Sequence, residues 1–129
     1  MNKPRFLFLF FVFVLLGTIV QKVFPQESLD SLKYYHNVVI RPNDSKDLNS
    51  AFLFFNRKIK EQLSEGDTIG AVQNLRRIAI GQFELGFLYE SESSAVRALR
   101  MLEVQKDNPV ITEAKSGIFN HLGIVYRHL

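Results

Sequence analysis

The sequence predicts an all-α fold in which antiparallel helix pairs follow an apolar N-terminal segment. Five segments after residue 27 repeat apolar residues at the i, i+3, i+4 spacing of a helix. Short breaks with turn chemistry separate these segments. The only strand-like run, Val38–Ile40, has no second strand to pair with. With 129 residues the chain has room for one domain, which we assign to residues 26–129 after an N-terminal segment of residues 1–25.

Charge is uneven along the chain and excludes one class of partner. The sequence has 16 basic and 13 acidic residues, a net charge of +3. Three of the basic residues and none of the acids lie in residues 1–25, so residues 26–129 are neutral overall. We therefore expect no nucleic-acid surface. The absence of cysteine excludes disulfides, thiolate metal sites and cysteine nucleophiles.

The N-terminus has the pattern of an export signal. A cationic start, Met1–Arg5, precedes 15 apolar residues, Phe6–Val20. As a helix these would rise about 22 Å, less than the roughly 30 Å hydrocarbon core, which favours a cleaved signal peptide. No alanine precedes Ala51, so an A-x-A cleavage site is missing, and an uncleaved membrane anchor through residues 6–20 or a buried core helix stays open. As a signal or an anchor, it predicts a periplasmic chain or one anchored in the inner membrane facing the periplasm.

The first two helices are expected on either side of a proline-containing break. The first covers Ser28–Val39, and Arg41–Asp44 interrupts it. The second begins after Asp44 or Ser45 and ends near Ser64. Gly66 then provides the left-handed residue that commonly ends a helix. Its predicted core face is Leu48, Ala51, Phe52, Phe55, Ile59 and Leu63, widened by Phe54.

Three more helices follow. The third is capped by Asp67 or Thr68 and ends near Leu85. The fourth begins within Glu90–Ser94, where acids suit the positive end of a helix. The fifth runs from about Val110 to the last residue, after the break at 107–109. The residues predicted to face the core are Ile69, Val72, Leu75, Ile78, Ala79 and Phe83 in the third helix; Ala95, Ala98, Leu99, Leu102 and Met101 in the fourth; and Ile111, Ala114, Ile118, Leu122, Val125 and Leu129 in the fifth.

The last helix carries a motif that places the chain near a repeat family. Phe119-x-x-Leu122-Gly123-x-x-Tyr126 resembles the first helix of a tetratricopeptide repeat (TPR), and Leu85-Gly86-x-x-Tyr89 has the same spacing. The resemblance implies a short TPR-like solenoid, in which the glycine permits close approach of a neighbouring helix. The alternative is that Gly86 ends the third helix and residues 87–89 form a turn. The packing residues that the resemblance implies are Leu85, Gly86, Tyr89, Ala98, Leu102, Phe119, Leu122, Gly123 and Tyr126.

Residues 66–129 are similar more specifically to the extracytoplasmic TPR region of bacterial sensor histidine kinases. This implies a module for protein–protein interaction or sensing in signal transduction. The chain departs from that pattern because it has no second span, no kinase motifs and no phosphorylatable histidine in a dimerisation helix. It also stops at Leu129, where the family continues with a partner helix. We therefore expect the front part of a longer protein or a truncated relative, with the repeat domain incomplete at its C-terminus.

The sequence predicts no catalytic, cofactor or metal site. His121 and His128 are seven residues apart, which is too far for helical ligands at i, i+4, so we expect them and His36 at the solvent or the rim. No acid is paired with a nucleophile, and the glycines do not form a phosphate loop. Four arginines, Arg76, Arg77, Arg97 and Arg100, could form one basic patch across the third and fourth helices. That patch is either a solvated face or a surface for an acidic peptide.

Two non-catalytic functions remain open. The first is a module that binds a protein or peptide partner on stacked helix pairs. The second is a membrane-anchored structural or assembly scaffold. The fifth helix has more apolar residues than the third and fourth can cover, so we also expect self-association through this C-terminal helix.

Overall fold

The computed structural model describes residues 29–41 and 45–129, and its secondary structure there is entirely helical. The expected all-α class is confirmed for these residues. The helices are α1 (Leu29–Ile40), α2 (Ser45–Glu65), α3 (Thr68–Glu84), α4 (Leu88–Glu103) and α5 (Pro109–Tyr126). In the described residues we find no helix with the length and apolar character needed to cross a bilayer. The N-terminal segment of residues 1–25, where the signal or anchor was expected, lies outside them.

Gly66 ends α2 as expected, and Asp67 caps the start of α3. Gly66 has a φ of +79°, which an L side chain rarely adopts. The Asp67 amide donates to Gln62 O at 2.8 Å and the Gly66 amide donates to Leu63 O at 3.3 Å, which is the Schellman pattern. The Asp67 carboxylate then accepts from the Gly70 amide at 2.8 Å and caps α3. Two helices therefore meet through a tight turn with its backbone groups satisfied.

The turn between α3 and α4 has the same construction. Gly86 has a φ of +77°, the Phe87 amide donates to Gln82 O, and the Gly86 amide donates to Phe83 O, both at 2.9 Å. Gly86 therefore ends α3, as the alternative interpretation predicted, but residues 87–89 do not form a turn, because α4 already begins at Leu88. That start precedes the expected 90–94 because the turn needs only three residues between the two helices.

The last connection is also closed by a side-chain cap. Asn108 Oδ1 accepts from the amides of Val110 and Ile111 at 2.9 and 3.0 Å. Pro109 occupies the first helical position, where its missing N–H costs nothing. The helix ends at Tyr126 rather than at the last residue. Leu129, expected on the core face, is half exposed beyond the helix end.

The core is built around α3. Residues 31–129 form one unit, in which α3 contacts α2, α4 and α5, and α4 also contacts α5. On α1, the Tyr35 ring stacks on Phe54 of α2 with centroids 4.4 Å apart. Short connections between long helices in contact make the neighbours antiparallel. The fully or nearly buried apolar residues are Val38, Val39, Leu48, Ala51, Phe54, Phe55, Ile59, Ala71, Val72, Leu75, Ile78, Ala79, Ala95, Ala98, Leu102, Ile111, Ile118, Leu122 and Val125.

Most of the expected core face is confirmed, with one correction in α2. Leu63, which was expected on the core face, is 43% exposed in the last turn of α2. A close contact that the sequence did not predict lies at Gly81. A Cβ there would sit 2.7 Å from the Phe52 ring and 3.4 Å from Val39 Cγ1, so glycine lets α1 and α2 pack closely on α3.

Candidate functional site

Residues from α1, α3 and α5, which are the first, third and fifth helices of the described chain, line a groove. It has a volume of about 560 Å³, which is in the size range of ligand sites. Polar and apolar side chains both line it. They are His36 and Ile40 from α1, Val72, Gln73, Arg76, Arg77 and Ile80 from α3, and Val110, Glu113 and Ala114 from α5.

Arg76 lies against the backbone of α5. A Cβ at Gly117 would be 3.2 Å from the guanidinium carbon of Arg76, so the absence of a side chain at Gly117 makes room for this arginine. Arg76 Nε is buried and has no hydrogen-bond partner. Among the described residues no carboxylate forms an ion pair with Arg76. The groove therefore holds a cation whose hydrogen-bonding capacity is not used up by the protein.

Arg77 is held more firmly than its neighbour. Its Nη1 donates to Asn74 Oδ1 at 2.5 Å, and Asn74 Nδ2 donates to Gln62 Oε1 at 2.7 Å. Its guanidinium also lies over the Phe55 ring, 5.7 Å from the centroid. Burial lowers the pKa of the Arg77 guanidinium, and the charge of Arg76 lowers it further. Arg77 is therefore oriented before any ligand arrives.

His36 completes the basic side of the groove. Its Nδ1 is buried and has no partner in the structure. Burial lowers the pKa of His36 below its ordinary value, and the charges of Arg77 and Arg76 lower it further. His36 is therefore neutral at neutral pH, and its ring can accept one hydrogen bond and donate another. The sequence placed His36 at the solvent or the rim, and the position of α1 beside α3 makes it part of the groove.

The four arginines expected in one patch occupy two places. Arg76 and Arg77 lie in the groove, while Arg97 and Arg100 are exposed on α4 in a separate open depression with Tyr89. The prediction of a single basic patch is therefore wrong. The helical periodicity of the sequence could not predict this separation of the two arginine pairs, because it does not show which other helices pack beside α3 and α4.

His121 is buried, contrary to the expectation of a rim histidine. Its Nε2 lies 2.9 Å from Ser91 Oγ, and that hydroxyl donates to Ala79 O at 2.7 Å. Because the hydroxyl proton goes to Ala79, His121 Nε2 is the donor toward Ser91 Oγ. A serine and a histidine in contact suggest a nucleophile and its base, but Ser91 is fully buried and its proton points away from the histidine. The contact therefore joins α3, α4 and α5 without catalytic geometry.

The residues of the TPR resemblance fall into three environments. Ala98, Leu102 and Leu122 are buried, and Leu85 is half-buried at the end of α3. Tyr89, Phe119 and Tyr126 are exposed, and Tyr126 Oη donates to Glu92 Oε1 at 2.7 Å. Gly123 is also exposed, and a Cβ there would meet nothing within 4 Å. The close helix approach expected at Gly123 is therefore not found in the described chain, and Gly86 serves a turn.

No metal-binding group of three or more histidine or acidic side chains occurs among the residues described. Comparisons of the chain with protein-family models, curated proteins and solved structures found no match.

Proposed function

We propose that this chain is a non-catalytic, TPR-like module for protein–protein interaction or sensing outside the cytoplasm, and that its groove binds an acidic segment of a protein or peptide. The observation that carries the proposal is the pair Arg76 and Arg77 side by side in a groove crossed by three helices. The location outside the cytoplasm rests on the export pattern of residues 1–25.

The polar atoms of the groove favour an anionic ligand. Two guanidinium groups, those of Arg76 and Arg77, line the groove, and among the described residues Arg76 forms no ion pair with a carboxylate. A carboxylate can accept from a guanidinium through two parallel bonds, which makes arginine well suited to acidic side chains. One acid, Glu113, also lines the groove, so the ligand's negative charge is best placed on the Arg76 and Arg77 side.

The apolar part of the groove favours a peptide over a free anion. Ile40, Ile80, Val110 and Ala114 flank the arginines along the same surface. Apolar side chains next to the acidic residue of a peptide would lose water on contact with them, at about 25 cal/mol per Å². We therefore expect recognition of an acidic residue with apolar neighbours.

The link to the TPR family stays a prediction. The contact of α3 with α5, across the intervening α4, suits an array of helix pairs in which every second helix lines one surface. The starts of α3 and α5, Thr68 and Pro109, are 41 residues apart, more than the family period of about 34 residues. The alternative function, a membrane-anchored structural or assembly scaffold, is compatible with the same export segment. It differs from the proposed function because it requires no ligand in the groove.

The test is peptide binding by the full-length chain in detergent. We expect a fluorescent peptide with glutamates between leucines to bind, and its lysine counterpart not to bind. Arg76→Gln should weaken binding about tenfold or more, because it removes a charge-assisted hydrogen bond worth about 1.5–3 kcal/mol. Arg97→Gln is the matched control, since Arg97 is an exposed arginine outside the groove. Equal affinity for both peptides, or equal effects of the two substitutions, would contradict the proposal.

A further inference from the structure

The outer face of α4 is a second surface, separate from the groove across α1, α3 and α5. An open depression of about 480 Å³ follows α4, lined by Tyr89, Glu92, Ser93, Val96, Arg97 and Arg100. Glu103 follows on the same side, seven residues after Val96. In the described part of the chain none of the charged residues on this face forms an intramolecular ion pair. The face therefore presents unpaired charges of both signs in a fixed order.

Two opposite charges on this face lie at equal distances from Val96. Glu92 lies four residues before Val96 and Arg100 four residues after it. Tyr89 lies seven residues before and Glu103 seven after. On a helix, residues four and seven apart share one face, so these side chains form a single stripe. When such a stripe is laid antiparallel on itself with Val96 at the centre, Glu92 meets Arg100 and Tyr89 meets Glu103.

The neighbouring helix extends this stripe with apolar surface. Tyr126 on α5 donates its hydroxyl to Glu92 at 2.7 Å, so the exposed side of α5 adjoins the outer face of α4. Phe119 and Tyr126 are more than half exposed there, and Gly123 between them leaves open space. Apolar side chains next to a charged stripe are typical of protein interfaces.

We propose that the outer face of α4 binds the same face of a second copy of this chain, through a two-fold axis near Val96. A two-fold interface requires that each contact of residue i with residue j be matched by one of j with i. The pairing of Glu92 with Arg100 satisfies that rule twice, once on each side of the axis. The dimer is independent of the proposed peptide groove, which lies across other helices.

The chain contains no cysteine, which permits a single-site cross-linking test on the full-length protein. The two-fold axis brings Val96 close to its own counterpart, so Val96→Cys should give a disulfide-linked dimer when cells expressing the chain are oxidised. Lys60→Cys is the control, because Lys60 is exposed on α2, a helix that does not contact α4. We expect a dimer band for Val96→Cys and no dimer band for Lys60→Cys.

Charge reversal tests the pairing itself. In the Val96→Cys background, Glu92→Arg alone and Arg100→Glu alone place like charges opposite each other twice and should abolish the dimer band. The two together restore opposite charges and should restore the band, which also shows that the variants fold. A band no stronger than that of Lys60→Cys, a band insensitive to the single reversals, no recovery in the double reversal, or a cross-link to a different protein would overturn the proposal.

Discussion

Ser91 on α4 and His121 on α5, thirty residues apart in sequence, meet at an Oγ–Nε2 distance of 2.9 Å, and both side chains are buried. Ser91 also binds the carbonyl oxygen of Ala79 on α3. One hydroxyl therefore connects three helices at the centre of the described chain. Two consequences of this contact can be measured.

Removal of the hydroxyl should destabilise the fold. Ser91→Ala removes the buried hydroxyl that bridges Ala79 O and His121 Nε2, at a cost of about 1–3 kcal/mol. Ser93→Ala is the control, because Ser93 is exposed on the same helix. Thermal unfolding followed by circular dichroism should show a lower midpoint for Ser91→Ala only. Equal midpoints for the two variants would mean that the buried contact contributes nothing.

Acid should weaken the fold through the same histidine. Burial lowers the pKa of His121, and the charge of Arg76 lowers it further. The folded chain therefore binds fewer protons than the unfolded chain once the pH falls below about 6.5, the ordinary value for histidine. Stability is fully present above that pH and declines as the pH falls through it. His36 acts in the same direction, since its pKa is lowered as well.

Denaturation at pH 7.5 and pH 5.5 measures this decline. His121→Gln removes the titrating group, so the variant should lose less stability between the two pH values than the parent chain. A pH dependence unchanged by the substitution would contradict the assignment to His121.

Two glycines should respond to alanine with opposite signs. At Gly81 a Cβ would sit 2.7 Å from the Phe52 ring, so Gly81→Ala forces a shift in the packing of α2 on α3 and should destabilise by about 1–3 kcal/mol. At Gly123 a Cβ meets open space, and alanine favours a helix by about 0.5–1 kcal/mol over glycine. Gly123→Ala should therefore stabilise the chain. A loss of stability at Gly123 would instead indicate the close helix approach that the TPR resemblance implies.

Adjacent residues on α3 should differ sharply when changed to aspartate. Leu75 is 3% exposed, and an unpaired carboxylate there costs several kcal/mol, comparable with a typical total stability of about 5–15 kcal/mol. Leu75→Asp should therefore unfold the domain. Arg76 lines the groove, so Arg76→Asp should keep the helical circular dichroism signal while abolishing acidic-peptide binding. Equal thermal losses for the two variants would show that the helical phase of α3 is wrong.

The helices could be predicted from the sequence largely because their ends are local. Gly66, Asp67 and Asn108 satisfy backbone groups within a few residues of themselves, so the turn signals and the caps coincide in sequence and structure. The role of Gly86 in Leu85-Gly86-x-x-Tyr89 does not follow from the sequence. Spacing alone does not say whether a glycine sits within a helix or ends it, and only the φ of +77° at Gly86 decides.

The groove and the buried histidine could not be predicted, because they depend on distant parts of the chain. His36, Arg76 and Val110 come together only after α1, α3 and α5 take their places. His121 contacts Ser91, a residue thirty positions away that the sequence places only in the first turn of the fourth helix. Helical periodicity reports which residues face inward, but it carries no information about which helix they face.

The tight glycine turns at Gly66 and Gly86 have a kinetic consequence. Each joins two adjacent helices through two or three residues. Such interactions link residues that are near one another in sequence, so the contact order of this part of the chain is low. Chains dominated by local contacts fold in microseconds to milliseconds, because little loop entropy must be lost before native packing begins. We therefore expect residues 45–103 to form successive helical hairpins rapidly, with the docking of α5 through Ile118 and His121 as a later step.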